Sequence, residues 1–392
     1  MPKRPRIAVS LGDPSGIGAE VTAAALGALR DEVTPYVYGD PRLFARELAA
    51  LRLPVVPLGA PLPARGALVA STALPAGAVR PGRPVPAGGA AQLAFLEAAF
   101  AAVRRGDADA LTTAPVSKAQ VARALPGFVG HTEWLEERCG GARTVMMLAG
   151  EKLKIALATN HVAFGMLLEA LTPAGIAETI VVTHRAMRHD LGIARPRIAL
   201  AALNPHAGEQ GTFGREETTL LAGALRRAAR AGAPAAGPYP ADSVFFRAAL
   251  GEFDAVVALY HDQGLIPVKL LDAVGGDPAV NVTLGLPIVR TSPDHGVAYD
   301  IAGKGKASAA SMIAALRLAA RIARGRRVHT GPEPLLYFAA GAALLLLAAV
   351  AIEVPLLVAI PAAAAMAWGA VSLVASGVRR LLRRKSWRMP SA

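Results

Sequence analysis

Residues 254–264 read Asp254-Ala-Val-Val-Ala-Leu-Tyr260 and then His261-Asp-Gln-Gly264. Six apolar side chains in succession suit a strand buried on both faces, the pattern of a parallel sheet. Polar residues arrive at once where that strand ends. Four other runs share this grammar: Arg6–Leu11, Ala108–Thr113, Leu153–Thr159 and Arg197–Leu203. Ala- and Leu-rich helical stretches lie between them, as at Gln92–Arg105 and Glu216–Ala231, and Thr172-Pro173 reads as an N-cap followed by a first-turn proline. The expectation is an α/β body with helices on both sides of a largely parallel sheet. Residues 74–90, rich in Pro, Gly and Ala, are expected to form a surface loop or hinge.

The chain divides by composition into a body, 1–330, and a tail, 331–392. Residues 335–352 carry no charge, Glu353 interrupts, and residues 354–376 again carry none. Each stretch has the length of a membrane-spanning helix. Arg321, Arg324, Arg326 and Arg327 precede them, and Arg379, Arg380, Arg383, Arg384, Lys385 and Arg388 follow, which places both ends on the cytoplasmic side. The expected tail is a hydrophobic helical hairpin anchoring a cytoplasmic body to the membrane; the competing reading is a buried helical pair at a subunit interface. Much of the net charge of +13 flanks this tail, aromatic residues are only 5%, and no RNA-binding signature is present, so nucleic acid is not an expected partner. A single cysteine, Cys139, rules out an internal disulfide and a cysteine-based zinc site. The start, Met-Pro-Lys-Arg-Pro-Arg, lacks the apolar stretch of a signal peptide.

Three histidines follow strands. His161 comes two residues after Thr159, His206 follows Leu203 through Asn204-Pro205, and His261 follows Tyr260 directly. Ligands of open α/β sheets bind beyond the carboxyl ends of strands, where loops converge. Three imidazoles there offer nitrogen ligands to a divalent metal and leave coordination positions open. Unrelated capping or core histidines would give the same spacing. His184, His189 and His329 lie in helical or basic surroundings, and His295 stays ambiguous. Gly12-Asp-Pro-Ser-Gly-Ile-Gly18 follows the first strand as a dinucleotide fingerprint would, but position 21 is Val and no acidic residue closes a second strand, so it fails as that motif. A turn lining a ligand site remains open for it. For an anion, Gly130-His131-Thr132-Glu133 offers an imidazole, a hydroxyl and backbone amides at a helix start, with Lys269 and Arg290 as cations.

Taken together these segments resemble the 4-hydroxythreonine-4-phosphate dehydrogenase family of vitamin B6 biosynthesis. The stretches that carry the resemblance are Gly12–Gly18, Thr113–Lys118, Gly130–Glu133, Leu203–Glu209, Pro240–Phe245, Tyr260–Gly264 and Asn281–Ser292 followed by Asp294-His-Gly296, in the family's order across about residues 5–325. It implies a two-domain fold like the isocitrate and isopropylmalate dehydrogenases, with a cleft between the domains. It also implies a homodimer, NAD or NADP bound without a Rossmann fingerprint, and one divalent metal (zinc, magnesium or cobalt) shared between subunits. On that pattern His161, His206 and His261 match metal ligands, and His131, Thr132, Lys269, Asn281 and Arg290 match substrate-binding positions. The implied reaction is oxidation of 4-phosphohydroxy-L-threonine at C3 to 2-amino-3-oxo-4-phosphooxybutanoate, which decarboxylates to 3-amino-2-oxopropyl phosphate. Lys269, with Asp262 or Asp242 beside it, is the candidate base. Two departures bear on the substrate: Val162-Ala163 stands where the family has Leu-Pro, and the segment between Lys269 and Asn281 is longer. The alternatives are a dehydrogenase of erythronate or threonate 4-phosphate, and a membrane-tethered relative without catalysis. The tail has no counterpart in the family.

Overall fold

All five apolar runs become strands of one sheet. The computed structural model describes residues 4–42, 49–74, 80–329, 341–342, 364 and 366–378. Its strands are β1 (Arg6–Ser10), β2 (Thr34–Gly39), β3 (Val55–Pro57), β4 (Ala67–Ala70), β5 (Ala110–Thr113) and β6 (Val145–Ala149). They continue with β7 (Lys154–Leu157), β8 (Ile198–Ala201), β9 (Ala236–Tyr239), β10 (Ala255–Ala258), β11 (Val280–Leu284) and β12 (Arg290–Pro293). The order across the twelve-stranded sheet is β3-β4-β2-β1-β5-β12-β11-β6-β7-β10-β8-β9. Parallel pairing joins β3 through β12 on one side and β7 through β9 on the other. Between them β12, β11, β6 and β7 pair antiparallel. The expected parallel sheet is therefore two parallel blocks of opposite sense, joined by an antiparallel seam.

Each block has its own core. Helices are α1 (Gly18–Ala28), α2 (Pro86–Arg104), α3 (Lys118–Ala124), α4 (His131–Arg138), α5 (Pro173–His189), α6 (Ala222–Arg230), α7 (Ala241–Ala249), α8 (His261–Gly275) and α9 (Ala310–His329). In the first core Leu96, Phe100 and Val103 of α2 and Trp134 and Leu135 of α4 pack on Tyr36, Tyr38, Val69 and Leu111. In the second, Val244 and Phe245 of α7 and Val268 of α8 pack on Ile155, Leu157, Ala199 and Val256. Burying each large side chain contributes about 2 kcal/mol. Helix α9 is tied to the seam: Thr291 Oγ1 donates to the Ala315 carbonyl at 2.9 Å, and Ser311 Oγ donates to the Ala279 carbonyl at 2.9 Å. The N-cap read at Thr172 is made, with its side chain accepting from Gly175 N at 3.0 Å.

Helix α2 begins at Pro86, inside the stretch expected to be loop, because a proline at the first helical position needs no amide donor. Its Gly89 faces the Gln120 carbonyl so closely that a Cβ would collide with it, so this glycine serves close packing of α2 on α3. Among the described residues α2 is the one helix long and apolar enough to cross a membrane, but half of it is buried and it packs in the first core. Met1–Asp190 and Arg195–Ala323 form one compact unit, and Leu191–Ala194 with Arg324–Ala392 form another. The expected spans 335–352 and 354–376 lie outside the described residues apart from 341–342, 364 and 366–376; Met366–Val378 is a short apolar helix.

Helix α8 starts immediately after β10 and sits on the sheet through Gly264. A Cβ there would lie 2.8 Å from both Ile155 Cγ2 and Leu157 Cδ2. Gly264→Ala is expected to lower the unfolding free energy by about 1–3 kcal/mol through overpacking. Urea melts measure it; an unchanged midpoint would mean that α8 can lift off without cost.

Candidate active site

A cavity of about 400 Å³ opens over the seam. Its floor comes from the strands themselves. Thr283 of β11 lies opposite Met146 of β6, and Asn281 lies opposite Ser292 of β12, so Met146, Asn281, Arg290 and Ser292 all reach the cavity. Its walls are strand ends from both blocks: Thr113–Val116 after β5, Pro293–Gly296 at the end of β12, Asn160 and His161 after β7, and His261 after β10. Lys118 and Gly130–Glu133 complete the rim.

Arg290 is 3% exposed, and its guanidinium donates to Thr283 Oγ1 at 3.0 Å and Thr113 Oγ1 at 2.8 Å. Its Nε is buried without a partner, and no carboxylate among the described residues lies within ion-pairing distance. Burial pushes its pKa down to about 10. A buried cation satisfied only by hydroxyls is costly unless an anion reaches it. Around it His131 Nε2, Asn160 Oδ1, Asn281 Oδ1 and His295 Nε2 are also buried without a hydrogen-bond partner. Native interiors rarely leave polar atoms so, and here they share one cavity. Burial, then the charges of Arg290 and Lys118, hold His131 well below the ordinary histidine value, so its ring is neutral. Helix α4 begins at His131, with Gly130 extended before it, so Thr132 is not a cap; its hydroxyl lies 3.5 Å from Thr283 Oγ1.

His161 and His261 come together, ring centroids 5.6 Å apart. His261 Nδ1 lies 2.7 Å from Asp262 Oδ1, which leaves Nε2 free to ligate. Burial first, then Lys118 and His261, lower the pKa of His161 and keep it neutral. His206 is not at this cavity. It is exposed, its ring 5.9 Å from that of Phe213, in the turn Pro205–Gly211. There residues 206–210 all take positive φ, a run that costs non-glycine residues energy. Among the described residues no three His, Cys, Asp or Glu side chains are grouped to hold a metal. Lys269, on α8, donates to the Asp294 carbonyl and pairs with Asp294 Oδ2, both at 2.7 Å; its carboxylate partner within the chain is neither Asp262 nor Asp242. Asp242 is exposed in the first turn of α7, away from the cavity.

Sequence reading passed over Lys118, Asn160 and the support of the walls. The Gly12–Gly18 loop does not line the cavity but braces it. Asp13, 2% exposed, accepts from Ser15 N at 2.8 Å, Gln92 Nε2 at 3.0 Å and Tyr299 Oη at 2.5 Å. Gln92 Oε1 in turn accepts from Ser117 N at 2.8 Å. One carboxylate thus ties the 113–118 wall to the 293–299 wall. Burial, then the Asp13 bond, pushes the Tyr299 phenol up to about 12. Gly12, at φ +67, lies where a Cβ would strike the Pro115 carbonyl.

Comparison with known proteins follows the same outline. The family model of the pyridoxal phosphate biosynthetic protein PdxA matches residues 31–319. A 4-hydroxythreonine-4-phosphate dehydrogenase of Caulobacter vibrioides is 45% identical over 341 residues, 84% of this chain and 100% of its own length. The enzyme of that name from Geobacter metallireducens is 44% identical over 340 residues, 82% of this chain and 96% of its own. The crystal structure of 4-hydroxythreonine-4-phosphate dehydrogenase from Klebsiella pneumoniae superposes with a TM-score of 0.72 at 38% identity, covering 82% of this chain and 98% of that one.

The neutral, buried His131 has a consequence for stability. Its folded pKa is depressed, so the unfolded chain takes up a proton that the folded one refuses; the contribution is intact above about pH 6.5 and is lost as pH falls below it. His131→Gln is expected to flatten the fall in melting temperature between pH 7 and pH 5. Parallel wild-type and variant curves would place the titrating groups elsewhere.

Proposed function

The chain belongs to the PdxA family of pyridoxal phosphate biosynthetic proteins, and we propose that it oxidises 4-phosphohydroxy-L-threonine at C3 with NAD or NADP. Arg290 carries the reading: a buried guanidinium bonded only to hydroxyls, in a cavity of unpartnered polar atoms, suits a phosphorylated substrate. Arg290, Thr132 and the neutral His131 take the phosphate, and Asn281 offers an amide to the substrate's polar backbone. Held at that end, the substrate presents C3 toward the pair of histidines.

The donor set there fits a divalent metal. Two neutral imidazoles lie together, one with its Nδ1 held by a carboxylate, and the third ligand, His206, comes in this reading from a second copy of the chain. An apolar face beside the pair supports such a homodimer: Ile266, Leu270 and Val274 of α8 are 67%, 62% and 80% exposed, and Phe164, 78% exposed, packs edge-on against Tyr260. A bound divalent ion supplies Lewis acidity toward the C3 oxygen. With a nicotinamide bound, C3 would give up hydride to it and its hydroxyl proton to Lys269, whose Nζ, ion-paired with Asp294 at the cavity wall, would first have to release a proton to solvent. The resulting β-keto acid, 2-amino-3-oxo-4-phosphooxybutanoate, loses C1 as carbon dioxide and takes up a proton at C2, giving 3-amino-2-oxopropyl phosphate.

The tail belongs to the same reading as a tether. Its two uncharged stretches and basic flanks suit a hairpin that holds the catalytic body at the cytoplasmic face of a membrane. Deleting residues 331–392 is expected to move the protein from the membrane to the soluble fraction. A full-length chain found wholly in the soluble fraction would remove the tether.

The purified protein is expected to form NADH or NADPH from 4-phosphohydroxy-L-threonine faster than from erythronate or threonate 4-phosphate, and to lose activity to a chelator. Arg290→Met should lower kcat/KM about 100-fold or more. His206→Ala and His261→Ala should each be inactive, yet regain part of the activity when mixed and allowed to exchange subunits. Inactivity toward the threonine derivative would refute the substrate, and failure of the mixture would refute the shared metal site.

A further inference from the structure

The cavity contains a second cation that the reading above leaves without a role. Lys118 is the first residue of α3 and lines the cavity beside Gly130 and His131. Among the described residues its ammonium makes neither a hydrogen bond nor an ion pair, although Glu133 lines the same rim. Its position is fixed from behind. Ser117 N donates to Gln92 Oε1, Gln92 is held by Asp13, and Gly89 lets α2 approach the Gln120 carbonyl of α3. From the front it is bordered by Gly130, where a Cβ would lie at ordinary contact distance, 3.5 Å, from Lys118 Cε. An exposed lysine at the cavity rim, braced through its backbone and without a partner among the described residues, is available to an anion that enters the cavity.

The two cations occupy different parts of the cavity. Arg290 lies in the floor, bonded to Thr283 and Thr113. Lys118 lines the same cavity as His131 at the phosphate end and His161 of the histidine pair. The substrate proposed above has two anionic groups, a phosphate on C4 and a carboxylate at C1, on either side of the reacting C3. One cation for each group accounts for both residues.

We propose that Lys118 is a specificity-determining residue that receives the substrate's carboxylate, and so selects four-carbon phosphates that are also acids; this rests on the substrate reading above. Ammonium and carboxylate form a charge-assisted hydrogen bond in a partly enclosed site, which orients C3 without taking part in proton transfer.

The test compares Lys118→Met and Lys118→Arg with wild type on two ligands: 4-phosphohydroxy-L-threonine and its C1 carboxamide, which lacks the negative charge. Lys118→Met is expected to lower kcat/KM for the acid about 10–100-fold, mainly through KM, with Lys118→Arg recovering most of the loss. Wild type should already handle the carboxamide poorly, and Lys118→Met should weaken it no more than about 3-fold further. Titration calorimetry without nucleotide gives a readout independent of turnover. Inorganic phosphate should bind wild type and Lys118→Met alike but bind Arg290→Lys more weakly. Equal losses on acid and carboxamide, loss of phosphate binding in Lys118→Met, or no loss at all would each overturn the assignment. Wild type that neither binds nor oxidises the acid would instead overturn the substrate reading, and this assignment with it.

Discussion

The antiparallel seam of β12, β11, β6 and β7 is the constraint on which the rest depends. Within either parallel block, strand ends converge on one edge only, and the blocks run in opposite senses. Residues from the ends of β5 and β12 and from the ends of β7 and β10 nonetheless line one cavity over the seam. The seam also sets the cavity's chemistry. Its strands carry Arg290, Asn281, Ser292 and Met146 into the floor, so a cation can be buried where the ladder hydrogen bonds keep the backbone satisfied. A helix or loop at that depth would leave its own amides and carbonyls to be paired.

Rigidity of the walls comes from a quite different source. Asp13 is buried and accepts three hydrogen bonds, and among the described residues it pairs with no cation, so donors take the place of a counter-ion. Those donors belong to its own turn, to α2 and to the segment after β12. The glycines around it do not form a nucleotide-binding fingerprint. They serve contact instead: Gly12 against the Pro115 carbonyl, Gly16 against Val297 and Gly18 against the Leu11 carbonyl.

Much of the fold was legible because β1, β5, β7, β8 and β10 are short apolar runs whose burial on both faces leaves a plain mark. The other strands escaped notice for physical reasons. β9 contains Gly-Pro, β3 is three residues long, and β12 mixes a buried Arg with Thr and Ser, a composition that signals a turn or a site. Pairing direction has no local signature, so the seam was invisible. In the site, the rule that histidines follow strand ends located the His161–His261 pair. It did not foresee that the turn after β8 would run through five left-handed residues and leave His206 outside. Lys118 went unnoticed because a lysine gains meaning only from the partners it lacks, and those are a three-dimensional fact.

The bond between Asp13 and Tyr299 spans 286 residues, and that between Glu32 and Arg317 spans 285. A chain leaving the ribosome at about 5–20 residues per second carries Asp13 for roughly 15–60 s before Tyr299 exists. Throughout that time the first block can form, since β1, β2, β4 and β5 lie early in the chain, but its outer partner β12 is missing and its edge is open. Of the cavity, the residues of β11 and β12 and the 293–296 wall are the last to leave the ribosome, and the apolar residues 335–376 follow them. The open edge of the first block is therefore covered only when β12, within the last third of the chain, has been made.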